Sequence, residues 1–278
     1  MNLKINLYPT RVLFYLCILL LLLYSIGPII WMGISSLSFE EDFFTTESLL
    51  PQRFTFTNYI NLFKDTYFIN FILNSTYISI GTILASVVIG TLAAYSLTRF
   101  KYRGRNLFSI FSLFAYMLPS VLLVIPLYLL VVNLRLTNKL PGLMIAYLAL
   151  NLPYSIWMMR AFFQSVDLEY EEAAFIDGAS RLRTLFNIVI PISLPGIIST
   201  VVFVFVSVWN EYLFALVFMT SDLKMTVPVG IQSFVTPHFV YWSYILAASV
   251  IISIPALIIF LITQRALISG WGTGGIKG

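Results

Sequence analysis

Long stretches without a charged side chain alternate with short, charge-rich interruptions along this chain. Val12–Phe39, Thr66–Thr98, Asn106–Leu134, Leu140–Met159, Thr184–Asn210 and Met225–Gln264 contain no Asp, Glu, Lys or Arg. Each is long enough for a helix that crosses a bilayer, which needs about 20 apolar residues. The pattern predicts six helices, near 12–35, 72–98, 107–133, 141–163, 195–220 and 243–265. Pro119, Pro126, Pro153 and Pro255 fall inside them, where a missing N–H kinks or opens a helix. The first stretch exceeds the roughly 7–15-residue core of a signal peptide and no small-x-small site follows it, so it reads as an uncleaved span.

Composition agrees with the pattern. The chain is 59% hydrophobic and 10% charged, against roughly 45–50% apolar and 25% charged in soluble domains. Its 24 Phe, 16 Tyr and 5 Trp suit rings placed at lipid–water interfaces. The expectation is an all-α polytopic membrane protein of six helices, a single domain over 1–278 without internal repeats.

The net charge of +4 is informative through its distribution. Placing both termini, the loop after the second span and the loop after the fourth on one side collects Lys4, Arg11, Arg99, Lys101, Arg103, Arg105, Arg160, Arg181, Arg183, Arg265 and Lys277, 11 of 16 basic residues. Positive charge marks the cytoplasmic side. The topology is therefore N-in and C-in, and the charge reports orientation and not a nucleic-acid partner. The first outer loop, about 36–71, is expected to carry short structure of its own.

Catalytic chemistry is sparse. One cysteine, Cys17, and one histidine, His238, allow neither an internal disulfide nor a Cys/His metal site. No HExxH, GxSxG or P-loop occurs, so ATP-driven work would need another chain.

The interruption at 164–195 has a design of its own. Acids at Asp167, Glu169, Glu171 and Glu172 crowd the start of a short helix, where the dipole favours them, with Asp167 as its N-cap. Ala173 and Ala174 keep a patch slim, and Gly178 stands where a helix end wants positive φ. Ser180 caps a second helix whose Leu182, Leu185, Phe186 and Val189 form one apolar face. Pro191 and Pro195 close it. The pair presents Glu171, Glu172, Asp177, Arg181 and Arg183 to the cytoplasm, either as an amphipathic loop on lipid or as a docking site. Five acids between 167 and 177 would be repelled by an anionic leaflet, which favours a protein partner.

Here a resemblance enters. Glu172-Ala173-Ala174, three residues, Gly178, nine residues and Ile188-Val189-Ile190-Pro191 is similar to the EAA loop of bacterial ABC importer permeases, with Ile190 where the family usually has leucine. "FTFTNYINLF" (54–63), "LNSTYISIGT" (73–82), "AAYSLTRFKYRGR" (93–105), "WNEYLFAL" (209–216) and "GTGGIKG" (272–278) resemble its carbohydrate branch, the MalG-like subunits. The resemblance implies a MetI-like permease fold in the bacterial cytoplasmic (inner) membrane. It also implies a second, MalF-like permease, two ATP-binding subunits that carry ATP and Mg, and an extracytoplasmic solute-binding protein. No cofactor is expected on this chain. The cassette would couple to the ATPase through Glu171, Glu172, Ala173, Ala174, Asp177, Gly178, Arg181 and Pro191. A tail over 266–278, with Gly274, Gly275, Lys277 and Gly278, would reach the ATPase dimer, with a frayed terminus as the plain alternative.

Polar groups inside spans are functional candidates. Asn210 and Glu211 lead, Glu211 being the only acid within a predicted helix. Asn74, Tyr116, Asn151 and Tyr154 suit sugar hydroxyls, and Trp209 could stack on a pyranose. Helix–helix hydrogen bonding is the competing role for each, and Glu211 could equally pair with a tyrosine. The expected function is a sugar or polyol permease subunit. The rivals are an ion-coupled transporter or channel using Glu211, and an ABC permease for glycerol phosphate esters.

Overall fold

The computed structural model describes residues 8–45, 50–51 and 53–273. Among them helices dominate, and the one β feature is an isolated antiparallel bridge between Val235 and Val240. In chain order the helices are α1 (Tyr8–Ser35), α2 (Asp42–Thr45), α3 (Thr57–Asp65), α4 (Phe68–Arg99), α5 (Arg105–Met117), α6 (Val124–Asn133) and α7 (Leu140–Gln164). Then follow α8 (Leu168–Ile176), α9 (Arg181–Thr184), α10 (Ile190–Ile192), α11 (Leu194–Trp209), α12 (Leu213–Phe218), α13 (Val227–Gln232) and α14 (Trp242–Thr273). They divide into two units, 1–66 with 231–253 and 67–230 with 254–278.

In the first unit, α1 carries no charged residue from Leu13 to Ser35. Leu13, Phe14, Leu21, Tyr24 and Ile29 are each more than half exposed within this chain. Such a helix needs lipid or another subunit around it. The loop after it has the short structure expected, α2 and α3. Buried Asn58 donates to the carbonyls of Ser36 (2.9 Å) and Ser38 (2.7 Å), folding α3 back on the end of α1. Glu40 accepts from the amides of Trp242 (3.0 Å) and Ser243 (2.8 Å), two N–H groups at the start of α14. Those amides lack partners within their own helix.

The second unit is organised around α4 and α7. Ser75, Ser79, Thr82, Ser86 and Gly90 bury a small-residue face of α4, the kind of surface that lets membrane helices approach closely. A Cβ on Gly90 would lie 3.1 Å from that of Ser155 on α7. Ser112 of α5 donates to the Pro153 carbonyl at 3.3 Å, and Arg160 of α7 donates to the Ser109 hydroxyl of α5.

Two predicted spans are broken. The third is α5 and α6, bent by 102° through a tight turn at Ser120–Leu123. Leu118 is extended (φ −66°, ψ 132°), the conformation a proline imposes on its predecessor. Pro126 lies in the first turn of α6, where no N–H is needed. The fifth, expected over 195–220, is α11 and α12 with a gap at 210–212. Pro191 and Pro195 each sit in a helix's first turn and so begin helices, where the expectation had them closing one. The chain bends by 78° between 181–192 and 194–209. α14 runs to Thr273, past the expected end at 265.

Among the described residues four helices are long and apolar enough to span a bilayer, and the two bent pairs, 105–117 with 120–133 and 181–192 with 194–209, would raise the number to six. This is a multi-pass, all-helical membrane protein.

Candidate functional site

A cavity of about 380 Å³ opens where the two broken spans meet α7. Tyr116, Ser120, Asn151, Ser207 and Glu211 supply its polar wall. The break in α11–α12 puts Glu211 there. Its Oε1 accepts from the Phe214 amide (2.9 Å), and its Oε2 accepts from the Ala215 amide (3.2 Å) and the Tyr147 hydroxyl (2.6 Å). The carboxylate thus caps α12, whose first N–H groups would otherwise be orphaned, and ties α7 to the gap. Tyrosine pairing, one of the two readings of Glu211, is present together with cavity exposure.

Of the residues expected along a solute path, Tyr116, Asn151 and Glu211 come together at this cavity. Asn151 is buried and donates to the Tyr147 carbonyl at 2.8 Å. Tyr154 stacks on the cavity residue Phe203 (centroids 3.6 Å apart) and packs against Tyr116. The others stand elsewhere. Trp209 is buried with its ring stacked on Phe205 (5.3 Å), so packing of the α11 core replaces the expected face for a pyranose. Asn210 is exposed and donates back to the Val206 carbonyl. Asn74 donates to the carbonyls of Leu223 and Met225, both at 2.9 Å, and so pins a loop. Sequence reasoning missed Ser120, Ser207 and Tyr147. A hydroxyl in an apolar run was the only signal they offered.

The second feature is the cassette α8–α9. Gly178 has φ +81° and Ser180 accepts from the Arg183 amide at 3.3 Å, so turn and cap stand as expected. Asp167 occupies the N-cap position of α8 in extended backbone, but its side chain makes no capping bond. Glu172, Ala173, Asp177 and Gly178 are exposed. A cleft of about 400 Å³ beside them is lined by Arg99, Asp167, Glu169 and Glu172, among others. Arg181 stacks over the rings of Phe100 (4.9 Å) and Phe175 (5.4 Å).

Two expectations for this surface change. Glu171 is not presented outward. It is buried, with Oε1 2.5 Å from Nε of Arg99 and Oε2 accepting from the Tyr95 hydroxyl at 3.0 Å. Leu182, Leu185, Phe186 and Val189 do not share one buried face either. Leu185 and Val189 are fully buried, while Leu182 and Phe186 are 62% and 58% exposed. A single π-helical turn over Leu185–Val189 shifts the register there. Gly274, Gly275, Lys277 and Gly278 of the expected tail lie outside the described residues.

Comparison with known proteins places this architecture. The family model described as "Binding-protein-dependent transport system inner membrane component" matches residues 86–271. The chain is 36% identical over 271 residues to the trehalose/maltose transport system permease protein MalG of Thermococcus litoralis, covering 96% of this chain and 97% of that one. It is 32% identical over 273 residues to the inner membrane ABC transporter permease protein YcjP of Escherichia coli, covering 97% of both. A chain of a bacterial ABC transporter that imports the acidic polysaccharide alginate superposes with a TM-score of 0.82 at 22% identity, over 95% of this chain and 99% of that one. This chain therefore belongs to the family of inner-membrane components of binding-protein-dependent transport systems.

Proposed function

We propose that this chain is one of two permease subunits in an ATP-driven importer of a neutral sugar or related polyol. Two ATP-binding subunits, carrying ATP and Mg, would dock on the cytoplasmic side, and a solute-binding protein would deliver cargo from outside. Six spans, N-in and C-in, would form a single permease domain over 1–278. The segment 164–195 would be its handle and 266–278 a tail toward the ATPase dimer. The observation that carries the reading is the helix–glycine–helix cassette. It exposes Glu172, Ala173, Asp177, Gly178, Leu182 and Phe186 beside an acid-lined cleft, a mixed surface suited to a protein partner.

Closure of the ATP-binding subunits would move the cassette, and the spans would alternate between inward- and outward-facing states, a two-state element biased by nucleotide. The cavity at Tyr116, Asn151 and Glu211 would form this chain's half of the path, offering acceptors and donors to hydroxyl groups. Among the described residues that line it, Glu211 alone is charged, which disfavours a phosphate ester as cargo. The ion-coupled alternative is disfavoured because Glu211 is engaged by three donors.

Reconstitution tests the proposal. The chain alone in liposomes should not take up trehalose or maltose. The assembled complex with its binding protein should do so only with ATP. Uptake by the isolated chain would overturn it.

A further inference from the structure

Arg99 is the last residue of α4, and its guanidinium reaches two other elements. Nη2 donates to the carbonyls of Phe163 (2.9 Å) and Val166 (3.0 Å), at and just past the end of α7. Nε donates to Glu171 of α8 at 2.5 Å. Tyr95, one turn earlier on α4, donates to the other oxygen of the same carboxylate. The side chains of Arg99 and Glu171 are only 7% and 3% exposed.

A charge pair this deeply enclosed is costly to pull apart, because separation strands both ions in a low-dielectric medium. The planar fork also fixes direction, which a lysine does not. The Phe163 carbonyl also accepts from the Val166 amide (3.3 Å), so the guanidinium is a second donor at the end of α7, where a cation complements the helix dipole. The second half of the cassette is fastened to the same place. Leu185 and Val189 pack with Ala94 and Tyr95 of α4 and with Met159 and Phe163 of α7.

We infer that Arg99 is a positioning residue that welds the cassette to α4 and α7, so that a displacement imposed on α8 is carried into both long helices as one body. The inference rests on the coupling role proposed above and makes it specific. Glu172 and Gly178 face a partner, whereas the neighbouring Glu171 faces inward and transmits. Without the weld, part of the cassette's movement would be lost in rotation about the 165–167 connection, so that less transport follows from each ATP hydrolysed.

Two variants test this in the reconstituted complex, with solute uptake and ATP hydrolysis measured on the same vesicles. Replacing the network by apolar groups, Arg99→Met/Glu171→Leu/Tyr95→Phe, removes the joint without stranding a charge. Arg99→Lys keeps the charge opposite Glu171 and loses the fork. In the assembled complexes the solute moved per ATP hydrolysed should fall, roughly tenfold for the apolar variant and less for lysine, whatever the absolute rate of hydrolysis. A wild-type ratio in either assembled variant would overturn the inference, and so would a parallel loss of uptake and hydrolysis with the ratio intact. If wild-type uptake itself proved independent of ATP, the proposed function would fail instead.

Discussion

Tyr147 donates a 2.6 Å hydrogen bond to Glu211, joining the middle of α7 to the gap between α11 and α12. The same carboxylate receives the amides of Phe214 and Ala215. Glu211→Ala would leave three donors without an acceptor, each costing about 1–3 kcal/mol where water is scarce. We expect the purified complex to melt well below wild type, at roughly 2–4 °C per kcal/mol. Glu211→Gln retains one acceptor oxygen and should lose much less. Equal melting temperatures for Glu211→Ala and wild type would refute the capping role.

Asn74 separates structure from cargo. Its amide holds the carbonyls of Leu223 and Met225, and each bond contributes about 0.5–1.5 kcal/mol. Asn74→Leu should therefore lower thermal stability and leave the KM for uptake unchanged. A raised KM at unchanged stability would return Asn74 to the solute path.

These residues also show how far the sequence could be read. Gly178 and Ser180 were legible because a positive φ and an N-cap are local requirements that one residue type meets. Spans were legible for the same reason, since length and apolarity are properties of a segment. What failed was direction. Glu171 and Glu172 are adjacent, yet one faces Arg99, 72 residues away in sequence, and the other faces outward. Only the folded arrangement of α4 and α8 decides between them. Leu182 and Phe186 fitted a 3.6-residue period that one π-turn interrupts. The break at 210–212 had a signal, two polar residues in an apolar run, but its partner Tyr147 was 64 residues away.

Gly196 should tolerate no side chain. A Cβ there would overlap the ring and Cβ of Phe162, and overpacking of this kind costs about 1–3 kcal/mol. Gly196→Ala is expected to lower the melting temperature, and adding Phe162→Ala should recover part of the loss. Such a recovery is non-additive, as expected for residues in contact. Simple additivity of the two losses would mean that they do not meet.

Gly178 makes a contrasting case. A Cβ there meets nothing within 4 Å, so its only internal constraint is φ +81°. Gly178→Asn should be nearly neutral in the isolated permease, since asparagine visits this region, whereas Gly178→Val should cost about 1–2 kcal/mol. Any loss of ATPase binding by the asparagine variant then arises from the partner's side. Co-purification of ATP-binding subunits, compared with permease melting, separates the two effects.

The exposed and buried halves of the second cassette helix should part in the same way. Leu185 and Val189 are fully buried against α4 and α7, and truncating a buried leucine costs about 2–5 kcal/mol. Leu185→Ala is therefore expected to destabilise the permease whether or not partners are present. Leu182 and Phe186 are 62% and 58% exposed, so Leu182→Ser/Phe186→Ser should change the isolated chain by no more than about 0.5 kcal/mol at each position. If these apolar groups cover themselves in an ATP-binding subunit, the double serine variant should lose co-purifying ATPase and stimulated hydrolysis while melting like wild type. Full retention of the ATPase would mean that the partner seats on the acid-lined cleft and Gly178 alone, and the apolar pair would then be a lipid-facing surface.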